Sequence, residues 1–177
     1  MSFHVINTKV EWLAETKRPA EGSILVIPAN DHLWMSAGPG LEIKVASGKE
    51  LELEAVRQGP ASPGAVIETI GGASGFARLF HAVVWTQNNQ WSPGAGRIAG
   101  RAMIEAAERA KSESLVAYPF HRGAHAPQGP AIQEMLAGLL EALERGSTVR
   151  RVTVLMADAQ EQALFQQAFL QALSGRT

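Results

Sequence analysis

Short runs of aliphatic and β-branched residues alternate along the chain with longer segments in which apolar residues recur every three or four positions. Runs of this kind are typical of strands that are buried on both faces of a sheet. The clearest of them predict strands at residues 24–27, 65–67, 80–85, 115–117 and 152–155. Because helix-like segments lie between these strands, the pattern predicts a mainly parallel sheet sandwiched by helices.

The helical segments carry recognisable start signals. An apolar stripe with helical spacing predicts a helix over residues 132–143, and Pro130 precedes it as a start signal. Asp158, followed three positions later by Glu161, is typical of a capping box that opens a last helix. Small residues spaced along 98–110 predict a third helix that packs closely on a sheet.

Two strand-to-helix connections contain the glycines and polar side chains from which we expect a ligand site. In open α/β sheets, ligands bind beyond the carboxyl ends of the strands, where both connections would lie. Small residues before a helix let backbone N–H groups and the positive end of the helix dipole approach an anion. The candidate binding residues are Asn30, Asp31, Ser36, Ala37, Gly38, Pro39 and Gly40 in the first connection and His121, Arg122, Gly123, Ala124 and His125 in the second.

Side by side, these connections are expected to bind a pyrophosphate. The alternative interpretation is that both are ordinary connections whose glycines only satisfy turn geometry. Neither contains the phosphate-loop pattern GxxxxGK[ST] or the dinucleotide pattern GxGxxG.

Composition narrows the class of protein. The 177 residues include 16 Lys and Arg against 17 Asp and Glu, and this balance argues against general nucleic-acid binding. With 46% hydrophobic residues, the chain is expected to form a single globular domain over residues 1–177. There is no cysteine, no secretory signal pattern and no apolar run long enough to span a bilayer, so we expect a cytoplasmic protein without membrane association.

Five segments, in order, resemble motifs of the macro domain family, the ADP-ribose-binding α/β/α module. VIPAN resembles the family's VNAAN, and SAGPGLEIKVASG resembles GGGVxxAIxxAAG. The remaining similar segments are residues 64–69, 80–84 and 117–120, within an overall similarity over residues 23–169. The resemblance implies a divergent member with a three-layer α/β/α sandwich and a mixed, mainly parallel six-stranded sheet. It also implies a site for ADP-ribose or a related nucleotide, with no separate cofactor.

The resemblance also implies roles for individual residues. Asn30 matches the Asn that binds the distal ribose, although capping the turn after a strand is an equally good interpretation. Gly38 and Gly40 match the loop that faces the pyrophosphate, while Pro39 removes one N–H donor. Family members that hydrolyse ADP-ribosyl bonds with a loop Asp carry it at the position of Gly40, so we expect little or no hydrolysis here.

Recognition of the phosphate and the base departs from the family pattern. Arg122 is either an additional bidentate phosphate ligand or a solvated surface side chain. The acidic residue that contacts adenine after the first strand is replaced by Asn7 or Thr8, and Ala157 occupies the place of the stacking aromatic residue. Trp34, together with the neighbouring Met35, offers an apolar platform or packs as core or lid.

Two further classes of function remain open. His121 and His125, together with Asp31 and His32, would supply imidazole and carboxylate ligands to a metal-assisted or phosphoester hydrolase. The spacing of the two later histidines carries little information in a loop, where they are equally well two independent residues. The other class is an interaction module that has kept the fold and lost the ligand. The sequence leaves enzymatic activity and oligomeric state open.

Overall fold

The computed structural model describes residues 1–123 and 125–175, and its centre is a seven-stranded sheet in the order β1-β2-β7-β6-β3-β5-β4. Its strands are β1 (Ser2–Val5), β2 (Thr8–Ala14), β3 (Gly22–Asn30), β4 (Val66–Ile70), β5 (Phe76–Trp85), β6 (Ser114–Ala117) and β7 (Arg151–Met156). The four central pairings are parallel, and the β1–β2 and β4–β5 pairings at the edges are antiparallel. The predicted mixed, mainly parallel sheet is confirmed, with seven strands instead of six.

The five strands predicted from apolar runs correspond to β3, β4, β5, β6 and β7. The two N-terminal strands lack such runs because β2 alternates along its length. Val10 and Trp12 are buried, whereas Lys9 and Glu11, which alternate with them, are partly exposed. This period of two is typical of a strand with one face in the core and one face toward solvent.

Five helices form the outer layers: α1 (Gly38–Ser47), α2 (Lys49–Val56), α3 (Ala95–Arg109), α4 (Gln128–Glu144) and α5 (Ala159–Ser174). Apolar residues of α3, α4 and α5 pack with one face of the sheet in a large core cluster. A smaller cluster joins α1 and α2 to the opposite face. The predicted three-layer α/β/α arrangement is therefore confirmed. Within the described residues, no helix combines the length and the hydropathy that a membrane span requires.

The predicted helix starts are correct to within a few residues. α4 begins at Gln128, so Pro130 lies in its first turn, where a missing N–H costs no intrahelical hydrogen bond. α5 begins after Asp158, whose side chain accepts a hydrogen bond from Glu161 N at 2.8 Å. The reciprocal half of the capping box differs, because the Glu161 carboxylate accepts from Ala157 N instead of from Asp158 N.

The connection from β2 to β3 crosses the two strands that separate them in the sheet. It begins with a short 3-10 helix, Glu15–Lys17, and runs on to the start of β3. Arg18 holds the crossing segment in place by donating to Ser74 O at 3.2 Å and by lying over the ring of Phe76. This connection is the extra length that precedes the VIPAN segment, and it places Glu15 at the carboxyl end of β2.

Candidate functional site

Three loops meet beyond the carboxyl ends of the central strands. The first loop, residues 31–37, joins β3 to α1; the second loop, residues 118–127, joins β6 to α4; the third loop, residues 86–94, joins β5 to α3. The second and third loops are tied by a hydrogen bond from His125 N to Asn89 O at 3.0 Å. Because β3, β5 and β6 are parallel neighbours, the topology brings the two predicted connections together and adds the third loop to them.

The start of α1 contacts the second loop through Gly38 and Gly123. Both residues have positive φ, +57° for Gly38 and +97° for Gly123, a region that side chains disfavour. A Cβ at Gly38 would lie 2.5 Å from Arg122 O, and a Cβ at Gly123 would lie 2.6 Å from Gly38 Cα. The two backbones therefore approach so closely that neither position tolerates a side chain without movement.

Gly40 lies in the first turn of α1 and faces away from this contact. A Cβ there would lie 3.7 Å from Ile27 Cδ1 and 3.8 Å from Met35 Cβ, which are ordinary van der Waals distances. The side-chain direction at this position thus points toward apolar atoms under the helix. Pro39 is buried beside it. A carboxylate at position 40 would be directed toward the apolar side chains of the core.

The remaining small residues of the predicted site border the same region. Ser36 is exposed, and its hydroxyl oxygen lies 3.4 Å from Asn89 Nδ2. Ala37 precedes α1 and accepts a hydrogen bond from Leu41 N at 3.3 Å. Ala124 was also predicted to bind the ligand, but it lies outside the described residues.

The Asn30 side chain is fully buried and holds the first loop together. Its Oδ1 accepts hydrogen bonds from His32 N and Trp34 N, both at 3.1 Å, and its Nδ2 donates to Trp34 O at 2.7 Å. In this conformation the amide therefore performs the turn-capping role that was the alternative to contacting a ribose. The Asn30 Nδ2 also donates a longer hydrogen bond to Asn89 Oδ1, at 3.5 Å.

Asn89, in the third loop, borders the candidate site and was not predicted from the sequence. Its side chain lies between the Asn30 amide and the Ser36 hydroxyl, and its backbone has a φ of +56°. The sequence did contain a signal for this residue, because a polar segment directly follows the buried strand β5. The sequence did not show that β5 is the parallel neighbour of β3, so that both strands end at the same edge of the sheet.

Trp34 and Met35, the two apolar residues of the first loop, have opposite environments. Met35 is buried in the core cluster beneath α1, and its N–H donates to Glu52 Oε2 at 2.7 Å. Trp34 leaves 47% of its surface exposed. Glu52, which also binds Lys44 Nζ at 2.9 Å, fixes the loop from α2 and was not predicted from the sequence.

His121 and Arg122 in the second loop take part in a network of ionic contacts. His121 Nε2 lies 2.7 Å from Glu161 Oε1, and Arg122 contacts both Glu15 and Glu161. The Glu161 side chain is only 3% exposed, and the Arg122 side chain is 22% exposed. Arg122 is thus not a solvated surface residue, because its guanidinium group is paired with two carboxylates. Its two carboxylate partners already balance its charge.

The electrostatics of this network favour an ionised Glu161. Burial by itself raises the pKa of the Glu161 carboxyl, since the interior disfavours charge. Hydrogen bonds from His121 and Ala157, together with the charges of His121 and Arg122, outweigh burial and leave the pKa below its ordinary value. Glu161 therefore remains a carboxylate at neutral pH and ties the start of α5 to the second loop.

The histidines and acids considered for a metal site form separate pairs. Asp31 Oδ1 lies 2.8 Å from His32 Nδ1 on the first loop, whereas His121 pairs with a glutamate of α5. His125 is exposed, and its described contact is through its backbone N–H to Asn89. Across residues 1–123 and 125–175, no three His, Asp or Glu side chains gather as ligands of one metal ion.

The residues expected to replace the adenine contacts lie in unexpected places. β1 is antiparallel to β2, so the turn at Asn7 and Thr8 lies at the amino edge of the sheet, opposite the three loops. Thr8 is buried there and donates to Val149 O at 2.6 Å. Because the first two strands form a hairpin, Asn7 and Thr8 do not lie at the carboxyl edge, where the three loops meet. The acid at the carboxyl edge is Glu15, and Ala157 follows β7 as expected.

No protein-family model and no curated protein sequence matches this chain. Its fold does match solved structures. An Oceanobacillus iheyensis macrodomain with ADP gives a TM-score of 0.80 at 18% identity, covering 100% of this chain and 97% of the other. A mutant of that macrodomain with ADPR gives 0.80 at 18% identity, covering 99% of each chain. A Trypanosoma brucei macrodomain in complex with ADP-ribose gives 0.74 at 16% identity, covering 91% of this chain and 68% of the other.

Proposed function

We propose that this chain, whose fold is that of a macrodomain, binds ADP-ribose or a related nucleoside diphosphate beyond the carboxyl ends of β3 and β6. The pyrophosphate would lie at the N-terminus of α1, where the first and second loops meet. The observation that carries this proposal is the backbone contact of Gly38 with Gly123, two positive-φ glycines that keep side chains out of the space between the loops.

The chemistry of this position suits an anion. The first N–H groups of an α-helix have no partners within the helix, and the helix dipole adds a partial positive charge there. In α1 these donors include Gly38 and Gly40, while Pro39 has none. Glycine also lets a phosphate approach the backbone closely. The binding energy is expected to come mainly from backbone N–H groups, since Arg122 is neutralised by Glu15 and Glu161.

The solved macrodomains support the choice of ligand. The solved structures include the Oceanobacillus macrodomain with ADP, a mutant of it with ADPR, and the Trypanosoma macrodomain in complex with ADP-ribose. The ligands named for these structures share an adenosine diphosphate unit. A pyrophosphate at the junction of the loops is the part of such a ligand that the described geometry of this chain fits best.

We also propose that the chain binds its ligand without hydrolysing an ADP-ribosyl bond at an enzyme-like rate. A water molecule needs a positioned base to attack such a bond, and Gly40 supplies no carboxylate. A side chain at this position would point toward Ile27 and Met35. Incubation with a protein carrying carboxyl-linked ADP-ribose should release no more ADP-ribose than a heat-inactivated sample does. Release at enzyme-like turnover would contradict this part of the proposal.

Thermal unfolding with a series of ligands tests the binding proposal. A ligand that binds only the folded state at 100 times its Kd stabilises it by about 2.7 kcal/mol, which is visible as a higher Tm. ADP-ribose and ADP should raise Tm, and a Gly38→Glu variant that circular dichroism shows to be folded should lose the effect, because its side chain displaces the second loop at Arg122 O and brings a negative charge to the phosphate position. Gly129→Glu is the matched control, because Gly129 lies in the first turn of α4 with open space around it. If the parent shows no shift with any of these ligands, the chain is instead a macrodomain-like fold without this ligand.

A further inference from the structure

Asn89 connects all three loops at the carboxyl edge of the sheet. Its backbone carbonyl accepts a hydrogen bond from His125 N of the second loop at 3.0 Å. Its side chain reaches the first loop, where Nδ2 lies 3.4 Å from Ser36 Oγ and Oδ1 lies 3.5 Å from Asn30 Nδ2. Ser36 and His125 are each two residues from one of the glycines through which α1 contacts the second loop. The Asn89 amide therefore lies close to the proposed pyrophosphate position.

The conformation of the third loop determines where this amide lies. The loop begins with a tight turn, in which Thr86 N donates to Gln90 O at 2.9 Å and Asn89 N donates to Thr86 O at 2.8 Å. Asn89 itself has a φ of +56°, in the left-handed region that asparagine adopts more readily than most residues with a side chain. Non-glycine residues in this region are concentrated at binding and active sites, where the surrounding contacts hold them. The turn thus places a polar side chain at the rim of the site.

The two asparagine amides at this edge differ in the quality of their hydrogen bonds. The fully buried Asn30 amide makes its bonds within the first loop at 2.7 and 3.1 Å. The partly buried Asn89 amide has contacts of 3.4 and 3.5 Å, longer than the usual N–H···O range of about 2.7–3.2 Å. An amide carries donors and an acceptor, as a hydroxyl group does. A ligand hydroxyl can therefore replace the long contacts of Asn89 with shorter ones, beside the exposed hydroxyl of Ser36.

We propose, building on the proposed function, that the Asn89 side-chain amide binds a hydroxyl group of the sugar attached to the ligand's pyrophosphate, on the side of β3 and β5. Asn89 is then a specificity residue, which favours nucleoside diphosphates that carry a terminal sugar over those that end in a phosphate. A neutral amide beside a neutral hydroxyl suits a sugar, whereas a terminal phosphate would bring additional negative charge. Asn30, for which the resemblance implies a ribose contact, supports this arrangement by holding the first loop.

Calorimetric titration of Asn89→Gly with ADP-ribose and with ADP tests this role. Glycine adopts the left-handed backbone conformation without strain, so the variant loses the amide and retains the turn, and circular dichroism checks its fold. ADP-ribose should bind the variant about tenfold more weakly than the parent, because hydrogen bonds to the sugar are lost. ADP, which lacks the terminal sugar, should bind both proteins equally. Asn88→Ala, which removes the neighbouring exposed amide, is the matched control and should bind both ligands as the parent does.

The ratio of the two affinities separates a contact with the sugar from a purely structural role. If Asn89 only holds the loops together, Asn89→Gly should weaken the binding of ADP and ADP-ribose by the same factor, and that result would overturn the proposed contact. Binding of ADP-ribose to Asn89→Gly within about twofold of the parent would overturn it too, as would a parent that binds ADP as tightly as ADP-ribose. These outcomes leave the proposed function intact, whereas a parent that binds neither ligand overturns the proposed function and this role with it.

Discussion

Gly38 and Gly40 lie two positions apart in α1 and have different surroundings. We predict that Gly38→Ala lowers the free energy of unfolding by about 2 kcal/mol, because alanine disfavours the left-handed region and its Cβ would meet Arg122 O at 2.5 Å. Gly40→Ala should instead raise it by about 0.5–1 kcal/mol, since helical glycine is replaced where a methyl group fits. Urea denaturation of both variants measures the difference. Equal effects would show that the close contact of the loops is absent in solution.

The buried residue His81 is expected to make the stability of the fold depend on pH. It lies on β5 and is fully buried, with Nε2 2.9 Å from Thr69 Oγ1 of β4, and burial lowers its pKa from 6.5 to about 4. The unfolded chain therefore takes up a proton below pH 6.5 that the folded chain takes up only near pH 4. Folded-state stability should consequently fall by about 2 kcal/mol between pH 7 and pH 5.

Denaturation at both pH values checks this prediction, with His81→Gln as the control that removes the titrating group. The variant should lose most of the pH dependence over this interval. A parent whose unfolding free energy is the same at pH 5 as at pH 7 would contradict the burial of a neutral imidazole at this position.

Residue types predicted which loops meet better than they predicted what each side chain contacts. The two glycines and the buried Asn30 were recognisable from the VIPAN and SAGPG segments, because their backbone requirements are local. The partners of Arg122 were not recognisable, since Glu15 and Glu161 are more than thirty residues away in sequence and meet it only through the sheet order. Asn89 was not predicted for the same reason, since its side-chain contacts with Asn30 and Ser36 are also distant in sequence.

At the scale of elements, Glu161 links α5 to the second loop. Glu161→Gln keeps the shape of the side chain but removes the charge that His121 and Arg122 contact, so we predict a loss of about 2–3 kcal/mol in unfolding free energy at pH 7. Asp158→Ala, which removes only the cap of the same helix, should cost about 1 kcal/mol.

The difference in unfolding free energy between the parent and Glu161→Gln should become smaller as the pH falls. Because the folded-state pKa of Glu161 lies below its ordinary value of 4.5, its contribution is present above that value and is lost as the pH falls through the folded pKa. Guanidinium or thermal unfolding at pH 7 and at pH 3 measures this. A gap between the two proteins that widens in acid would contradict the assignment of an ionised, paired carboxylate.

The elements themselves were predictable where the apolar pattern is continuous. β3, β5, β6 and β7 are covered on both faces, so they appear in the sequence as apolar runs. β2 has one open face and alternates, and its β1 partner is four residues long, so neither strand stood out. The direction of β1 also decides which edge of the sheet Asn7 occupies, and that direction was not predictable without the hairpin.

At the scale of the whole molecule, we predict a ligand bound through its phosphates more than through its base. Affinities for ADP-ribose and for analogues with another base should therefore agree to within about tenfold, or 1.4 kcal/mol. Competition between these analogues in a calorimetric titration measures the ratio. A stronger preference for adenine would show that an edge-reading pocket exists elsewhere, and the acid nearest the site for such a pocket is Glu15.

We propose that the loops at the carboxyl ends of β3 and β6 form one ligand site, and an amide-resolved NMR titration with ADP-ribose can locate that site. We expect saturable shifts that are largest for the amides of Gly38, Gly40 and Gly123. The cavity of about 220 Å³ at the amino edge, lined in part by Glu11 and Arg151, should show none. Saturable shifts confined to that opposite edge, or no saturable shifts at all, would contradict the account.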